Sequence, residues 1–372
     1  MIKSTAYRLF ILFALFGLLT LTVPRAAQAA GFVQNESSYW NMGTLPLPSN
    51  GNGNIEHCTL ESGNLKMPNN VVGFNVYTPP SYASSSQSYP VIYLLHGING
   101  NEYNYFSYFN DSTFFNSGSG SLPSLIDNGL TDEAIIVFVN GGAMSFYQDW
   151  NDNFTYGVDY NYGPSSSFPI MTESIIMEDV IPFIDANFRT IANRNGRAVE
   201  GFSMGGGGAM KLALEYSDQF CSTIAYSGGT YEEYTGSPSI NPYSGTEHDE
   251  EHKASVIATN NASSILANGL KIRMVDGDGA AGQGGGSAGL STLLDTLGIP
   301  YEYVPSQAGV INHDWGQYHQ ATGLYGLNFH FQCFADATSS APAPIILGSV
   351  DEFTYIPFAK KPPQPVSSGS CN

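Results

Sequence analysis

Short apolar runs rich in Val, Ile and Leu alternate with stretches of helical periodicity through the middle of this 372-residue chain, and that alternation most constrains its fold. Val71 to Tyr77, Val91 to Leu95, Ala134 to Val139, Arg197 to Phe202, Ser222 to Tyr226, Leu270 to Val275 and Tyr301 to Val304 read as strands. Between them, Ser174 to Phe188, Met204 to Tyr216, Ala254 to Ala267 and Leu290 to Leu297 carry apolar residues at helical spacing. Strands this apolar are covered on both faces, so the expectation is an α/β domain with a mainly parallel central sheet and helices on each side. The domain is expected over residues 67–335, with an irregular Gly/Asn/Pro-rich lead-in at 30–66 and a Pro/Ser-rich tail at 336–372.

The first 29 residues read as a secretory signal peptide. Lys3 and Arg8 form a positive start, Leu9 to Leu21 is an apolar run too short to favour a span, and Ala27-Gln28-Ala29 supplies a small-x-small cleavage site. The chain holds 13 Lys+Arg against 32 Asp+Glu; three of the basic residues and no acidic one lie in this leader, leaving a mature charge of −22. Such an acidic balance, with no basic run, disfavours nucleic acid and anionic membranes as partners. The product is expected to be secreted or periplasmic, and free of the membrane once the leader is removed. Cys58, Cys221, Cys333 and Cys371 lack C-x-x-C spacing and fit up to two disulfides in an oxidising compartment, in any of three pairings. Asn35, Asn110, Asn153 and Asn261 open N-x-S/T sequons. The oligomeric state is not readable from these features.

Gly201-Phe202-Ser203-Met204-Gly205 sits between an apolar strand and a helix. This G-x-S-x-G placement suits a serine nucleophile: the glycines allow a sharp strand-to-helix turn that lifts Oγ off the sheet. A serine needs a base, and His313 lies on a loop after the Tyr301 to Val304 strand, downstream as the order Ser, Asp/Glu, His requires. The acid that would orient it falls after the Leu270 to Val275 strand, where Asp278 is favoured and Asp276 is the alternative. Asp314, adjacent to the base, reads as a supporting residue. An oxyanion would be held by the backbone N–H groups of Met204 and of Ile98, the latter in the His96 to Gly100 turn.

Two other motifs carry less weight. Gly277 to Gly282 is a literal G-x-G-x-x-G, but it comes late in the chain and its helix starts only after a further Gly-rich run, so no nucleotide cofactor is expected. His248 to His252 matches H-x-x-E-H, yet reads as an acidic, solvated helix start, so no metal is expected.

Several stretches resemble the esterase D-like branch of the α/β-hydrolases, the putative-esterase family. They are Pro90 to Gly97 with Gly100-Asn101-Glu102, Ile181 to Thr190, Arg197 to Met210, Ser227-Gly228-Gly229 and His313-Asp314-Trp315. Ser145 to Trp150 is also similar to a segment of the secreted mycolyltransferases of that branch. The resemblance implies an α/β-hydrolase fold, Ser203 as nucleophile, His313 as base, an acid on the loop after Leu270 to Val275, and no cofactor. Val275 to Gly279 departs from the Gly-x-x-Asp-like turn of the family. It also implies a carboxylic ester as substrate, with feruloyl or acetyl esters of polysaccharides suggested by the exported members. Tyr147 and Trp150 in the aromatic-rich stretch Phe146 to Phe168, with Trp315 beside the base, are the residues expected to stack on a sugar or phenolic ring. The alternatives are acyl transfer to a sugar hydroxyl, a non-catalytic binding protein on a hydrolase scaffold, and a zinc protein at His248 and His252.

Overall fold

The computed structural model describes residues 40–41, 53–65, 70–105, 115, 120–142, 145–150, 170–228, 251–278, 287–339 and 369–371. The leader, most of the 30–66 lead-in, three of the four sequons, His248 and residues 279–286 lie outside them.

In chain order the elements are β1 (Asn54–Glu61), β2 (Val71–Thr78), β3 (Val91–Leu95), α1 (Leu122–Asp127), β4 (Ile135–Val139), β5 (Asp149–Trp150) and β6 (Ile170–Met171). A helical run, α2, joins Thr172–Ser174, a π-helical Ile175–Val180 and Ile181–Asn187. Then follow β7 (Arg197–Phe202), α3 (Met204–Glu215), β8 (Ser222–Tyr226), α4 (Ala254–Asn268), β9 (Lys271–Gly277), α5 (Ser287–Leu297) and β10 (Glu302–Gln307). A last helical run, α6, comprises Trp315–Tyr318, a π-helical His319–Gly323 and Leu324–Ser339, and β11 is Gly369–Cys371.

Among the described residues nine strands form one sheet in the order β10-β9-β8-β7-β3-β4-β2-β1-β11. The run from β10 to β4 is parallel, and the β2, β1, β11 edge is antiparallel. Every residue of β3, β4, β7 and β8 is buried, as the apolar runs require. Their alternation divides the core. Val91, Tyr93, Leu95, Val137 and Val199 pack with α2, α3, α4 and α5, while Ile92, Leu94, Ile136, Phe138 and Ala198 pack with α1 and α6. Each such side chain contributes about 1.5–3 kcal/mol of transfer free energy, which makes this double-sided burial the main stabilising term.

The ends of the chain differ from expectation. Asn54–Glu61, expected to be irregular, is a strand next to the sheet edge, paired with β2 from Asn54↔Thr78 to Glu61↔Val71. Only Cys58 and Leu60 point fully into the core alongside His57, so its apolar alternation is too sparse to read. The last residues are not a loose tail: Gly369–Cys371 pairs with β1, and Cys58 bonds Cys371. The second disulfide joins Cys221 to Cys333, from the start of β8 to α6. No described helix is long and apolar enough to cross a membrane.

Candidate active site

The chain leaves β3 toward β4 on one side of the sheet and builds β7, β8, β9 and β10 on the other, so its winding reverses between β3 and β7. Two loops diverge at the carboxyl ends of those strands and open a crevice, the usual ligand position in such sheets. Leu95 is in register with Gly201 there, which brings the His96 turn and Ser203 side by side.

Ser203 occupies the turn from β7 into α3 with φ 56 and ψ −122, a conformation few non-glycine residues adopt. Strain of this kind persists only where the surroundings enforce it, and it aims Oγ out of the sheet. The glycines make the turn possible. A Cβ at Gly205 would lie 1.9 Å from the Leu95 carbonyl oxygen, and one at Gly201 2.3 Å from the Gly205 oxygen. Ser203 N–H is held by the Tyr226 carbonyl at 3.0 Å, and its own carbonyl accepts from Gly207 N–H at 3.0 Å. The N-terminus of the twelve-residue α3 thus stands directly behind the hydroxyl, with Met204 wholly buried.

His313 Nε2 is 2.8 Å from Ser203 Oγ, the contact expected of a base and its nucleophile. Phe202 packs against the imidazole with ring centroids 4.6 Å apart. Partial desolvation in the crevice pulls the imidazole pKa below the ordinary histidine value, and the Asp314 carboxylate opposes that shift. Asp314 also caps α6, accepting from Gln317 N–H at 3.2 Å.

The expected acids do not face the base. Asp276 turns inward at the end of β9, accepting from Tyr303 OH at 2.9 Å and Ser287 Oγ at 3.1 Å, and burial raises its pKa. Asp278 accepts from Ser306 Oγ on β10, and its N–H is bound by the Val310 carbonyl at 2.7 Å. The group at His313 Nδ1 is instead the hydroxyl of Ser227, 3.0 Å away. Ser227 is buried, has φ 45, and is fixed by its N–H to the Val275 carbonyl. Its one legible signal was the Ser-Gly-Gly run at the end of β8.

The turn after β3 is fixed from below. His96 is buried and held neutral: desolvation drives its pKa down to about 4, against the opposing hydrogen bonds of Gly97 and Asn140. Its Nδ1–H reaches the Gly97 carbonyl at 2.8 Å, and Nε2 accepts from Gly141 N–H at 3.0 Å. A Cβ at Gly97 would stand 3.4 Å from Ser203 Cβ, so the backbone that carries Ile98 borders the nucleophile.

Of the aromatic residues expected to touch substrate, Tyr147 does not line the crevice. It is 1% exposed, its hydroxyl donates to the His96 carbonyl at 3.0 Å, and it supports the turn from beneath. Buried Lys211 of α3, which sequence reasoning passed over, holds the same loop by donating to the Phe146 carbonyl at 2.8 Å and Gln148 Oε1 at 2.7 Å. Trp315 is half-buried and packs edge-on against Tyr105 and His319. Trp150 lies in β5, with its side chain outside the described residues.

A family model described as putative esterase matches residues 66–320. The chain belongs to this esterase family. An esterase of Mycobacterium tuberculosis (strain CDC 1551 / Oshkosh) is 36% identical over 158 residues, covering 42% of this chain and 29% of that protein. An endo-1,4-beta-xylanase/feruloyl esterase of Xylanibacter ruminicola is 29% identical over 186 residues, covering 48% of this chain and 22% of that protein. The chain therefore spans less than a third of the length of the curated relatives it matches. Among solved structures, a ferulic acid esterase covers 75% of this chain and 98% of its own at TM-score 0.56 and 22% identity. An S-formylglutathione hydrolase from Agrobacterium tumefaciens covers 78% and 99% at TM-score 0.54 and 15% identity. These likenesses establish the α/β-hydrolase fold.

Proposed function

We propose that this esterase is an exported carboxylic ester hydrolase that works through an acyl-Ser203 intermediate, acting on feruloyl or acetyl esters of plant-type polysaccharides. The observation that carries the mechanism is the 2.8 Å contact between Ser203 Oγ and His313 Nε2 at a strained strand-to-helix turn. Ser203 Oγ attacks the ester carbonyl carbon while its proton passes to His313 Nε2. The carbonyl oxygen takes the negative charge and is held by the Met204 and Ile98 N–H groups. The intermediate collapses, the alkoxide leaves with the proton from His313, and the acyl group stays on Ser203. Water then attacks, gives a proton to His313, and the acid is released as Ser203 recovers that proton.

The substrate class is supported by the relative named as a xylanase/feruloyl esterase and by the likeness to a ferulic acid esterase. Export is supported by the leader sequence and by two disulfides that use all four cysteines. The test is a panel of methyl ferulate, acetylated xylan and short-chain aryl esters with the wild type and Ser203→Ala. The serine variant is expected to lose turnover of every ester by more than about a thousandfold. Activity on aryl esters with none on ferulate or acetylxylan would reject the substrate class and keep the mechanism.

A further inference from the structure

Glu200 lies three residues before Ser203 on β7, and its side chain points to the α6 face of the sheet, opposite the helix that follows the nucleophile. It is 2% exposed, and a buried carboxylate is tolerated only where it is paired. Two buried histidines of α6 supply the partners. His330 Nε2 is 3.3 Å from one carboxylate oxygen, and His319 Nε2 is 3.5 Å from the other.

The outer nitrogens of the two rings are held as well. His319 Nδ1 is 3.0 Å from the Trp315 carbonyl, which can only accept, so Nδ1 carries a hydrogen. Its Nε2 is directed at the Glu200 carboxylate. His330 is engaged at both nitrogens, Nε2 3.3 Å from Glu200 and Nδ1 2.7 Å from Ser222 Oγ. The rings of Tyr226, Trp315 and Tyr105 surround His319 at 4.8, 5.6 and 6.2 Å between centroids. Burial pushes the Glu200 pKa up, but the hydrogen bonds and charges of both histidines outweigh it and hold the group well below the usual carboxylate range.

This cluster joins the two segments that react. Glu200 precedes Ser203 by three residues, and His319 follows His313 by six. The segments meet at the surface, through Ser203 and His313, and again beneath, through Glu200 and His319. His319 also opens the π-helical turn His319–Gly323, an irregularity that functional sites often keep. We propose that Glu200, clamped between His319 and His330, is a positioning residue that fixes the helix bearing the base against the nucleophile strand. An apolar side chain would fill the space, but it would not specify how far α6 slides along β7. Sliding matters here, because displacing reacting groups by about 1 Å can cost about a hundredfold in rate.

The inference rests on Ser203 and His313 being the reacting pair, so the two must be tested apart. Labelling of the wild type by a fluorophosphonate probe, lost in Ser203→Ala, tests the pair. Glu200→Gln tests the clamp, since it keeps the shape and removes the charge. On p-nitrophenyl acetate its kcat is expected to fall about 10- to 100-fold with KM within about threefold. If Ser203 is labelled while a folded Glu200→Gln keeps wild-type kcat, the clamp is overturned and the pair stands. A lower melting temperature with unchanged kcat overturns it equally, making the cluster structural only. Should Glu200→Gln not fold, His330→Gln removes one partner of the carboxylate alone; a fall in kcat then supports the clamp, and unchanged kcat overturns it.

Discussion

His313 presents Nε2 to Ser203 Oγ at 2.8 Å and Nδ1 to Ser227 Oγ at 3.0 Å, so the base is held between two serine hydroxyls. For Nε2 to accept the nucleophile's proton, Nδ1 must carry the other hydrogen, and Ser227 is the acceptor that keeps this tautomer. A hydroxyl orients the ring without lending it full negative charge. The Asp314 carboxylate is the charge that acts on the ring.

Ser227→Ala is therefore expected to lower kcat/KM for p-nitrophenyl acetate by about 10- to 100-fold, as loss of an orienting hydrogen bond should. Asp278→Asn, removing a carboxylate engaged with Ser306, is expected to change it by less than about threefold. Steady-state kinetics on both variants decide the matter. A collapse in Asp278→Asn with little effect in Ser227→Ala would return the acid to the β9 loop.

The pH dependence follows from the state of the base. As the base of the proposed mechanism, His313 acts when neutral, which holds above its pKa, and desolvation sets that pKa below the ordinary histidine value. The acid limb of kcat/KM is expected below about pH 6.5, so activity persists into mildly acidic solution. Asp314 opposes the shift, so Asp314→Asn should move the limb to still lower pH, while its side-chain oxygen can still cap Gln317 N–H. A limb that stays in place in this variant would show that Asp314 exerts no field on the base.

The central strands were legible because burial on both faces leaves continuous apolar runs. Val91 to Leu95, Arg197 to Phe202 and Ser222 to Tyr226 begin and end in the structure where those runs do. β1 was not, since a strand with Glu56, His57 and Thr59 among its residues carries too few apolar positions. At the site, Ser203 and His313 were readable from their place between elements. Side-chain direction was not: Asp276 and Asp278 lie at the end of β9, yet one turns into the protein and the other toward β10. Tyr147 sits in a polar, Gly-rich sequence that resembles surface, but φ of 54 at Phe146 and Tyr147 folds its ring under the His96 turn.

The Cys221–Cys333 disulfide ties β8 to α6, the helical run that carries His319 and His330, across 112 residues of chain. Closing a loop of that size removes unfolded-state entropy equivalent to about 4–5 kcal/mol. The double variant Cys221→Ser/Cys333→Ser is expected to lose about 2–5 kcal/mol in urea unfolding. Reductant should destabilise it less than the wild type, since only Cys58–Cys371 remains. Equal stability of variant and wild type would mean that the bridge does not form in solution.

Glu173, at the start of α2, faces Asp149 and Glu215 with Lys211 nearby, and accepts from Tyr216 OH at 2.6 Å. Desolvation dominates and pushes its pKa up to about 7, so the folded protein binds this proton more tightly than the unfolded chain does. Its contribution to stability is present below the ordinary carboxyl value near 4.5 and is lost as pH rises through about 7. The loss amounts to about 3 kcal/mol at most. Glu173→Gln keeps an oxygen to accept from Tyr216 and cannot ionise. Relative to the wild type it is therefore expected to gain stability between pH 4.5 and pH 8, read as the difference between the two proteins in urea unfolding at each pH so that groups titrating in both cancel. Parallel stability profiles would mean that Glu173 ionises at the same pH in the folded and unfolded chain, and that the crowd of Asp149 and Glu215 around it imposes no cost.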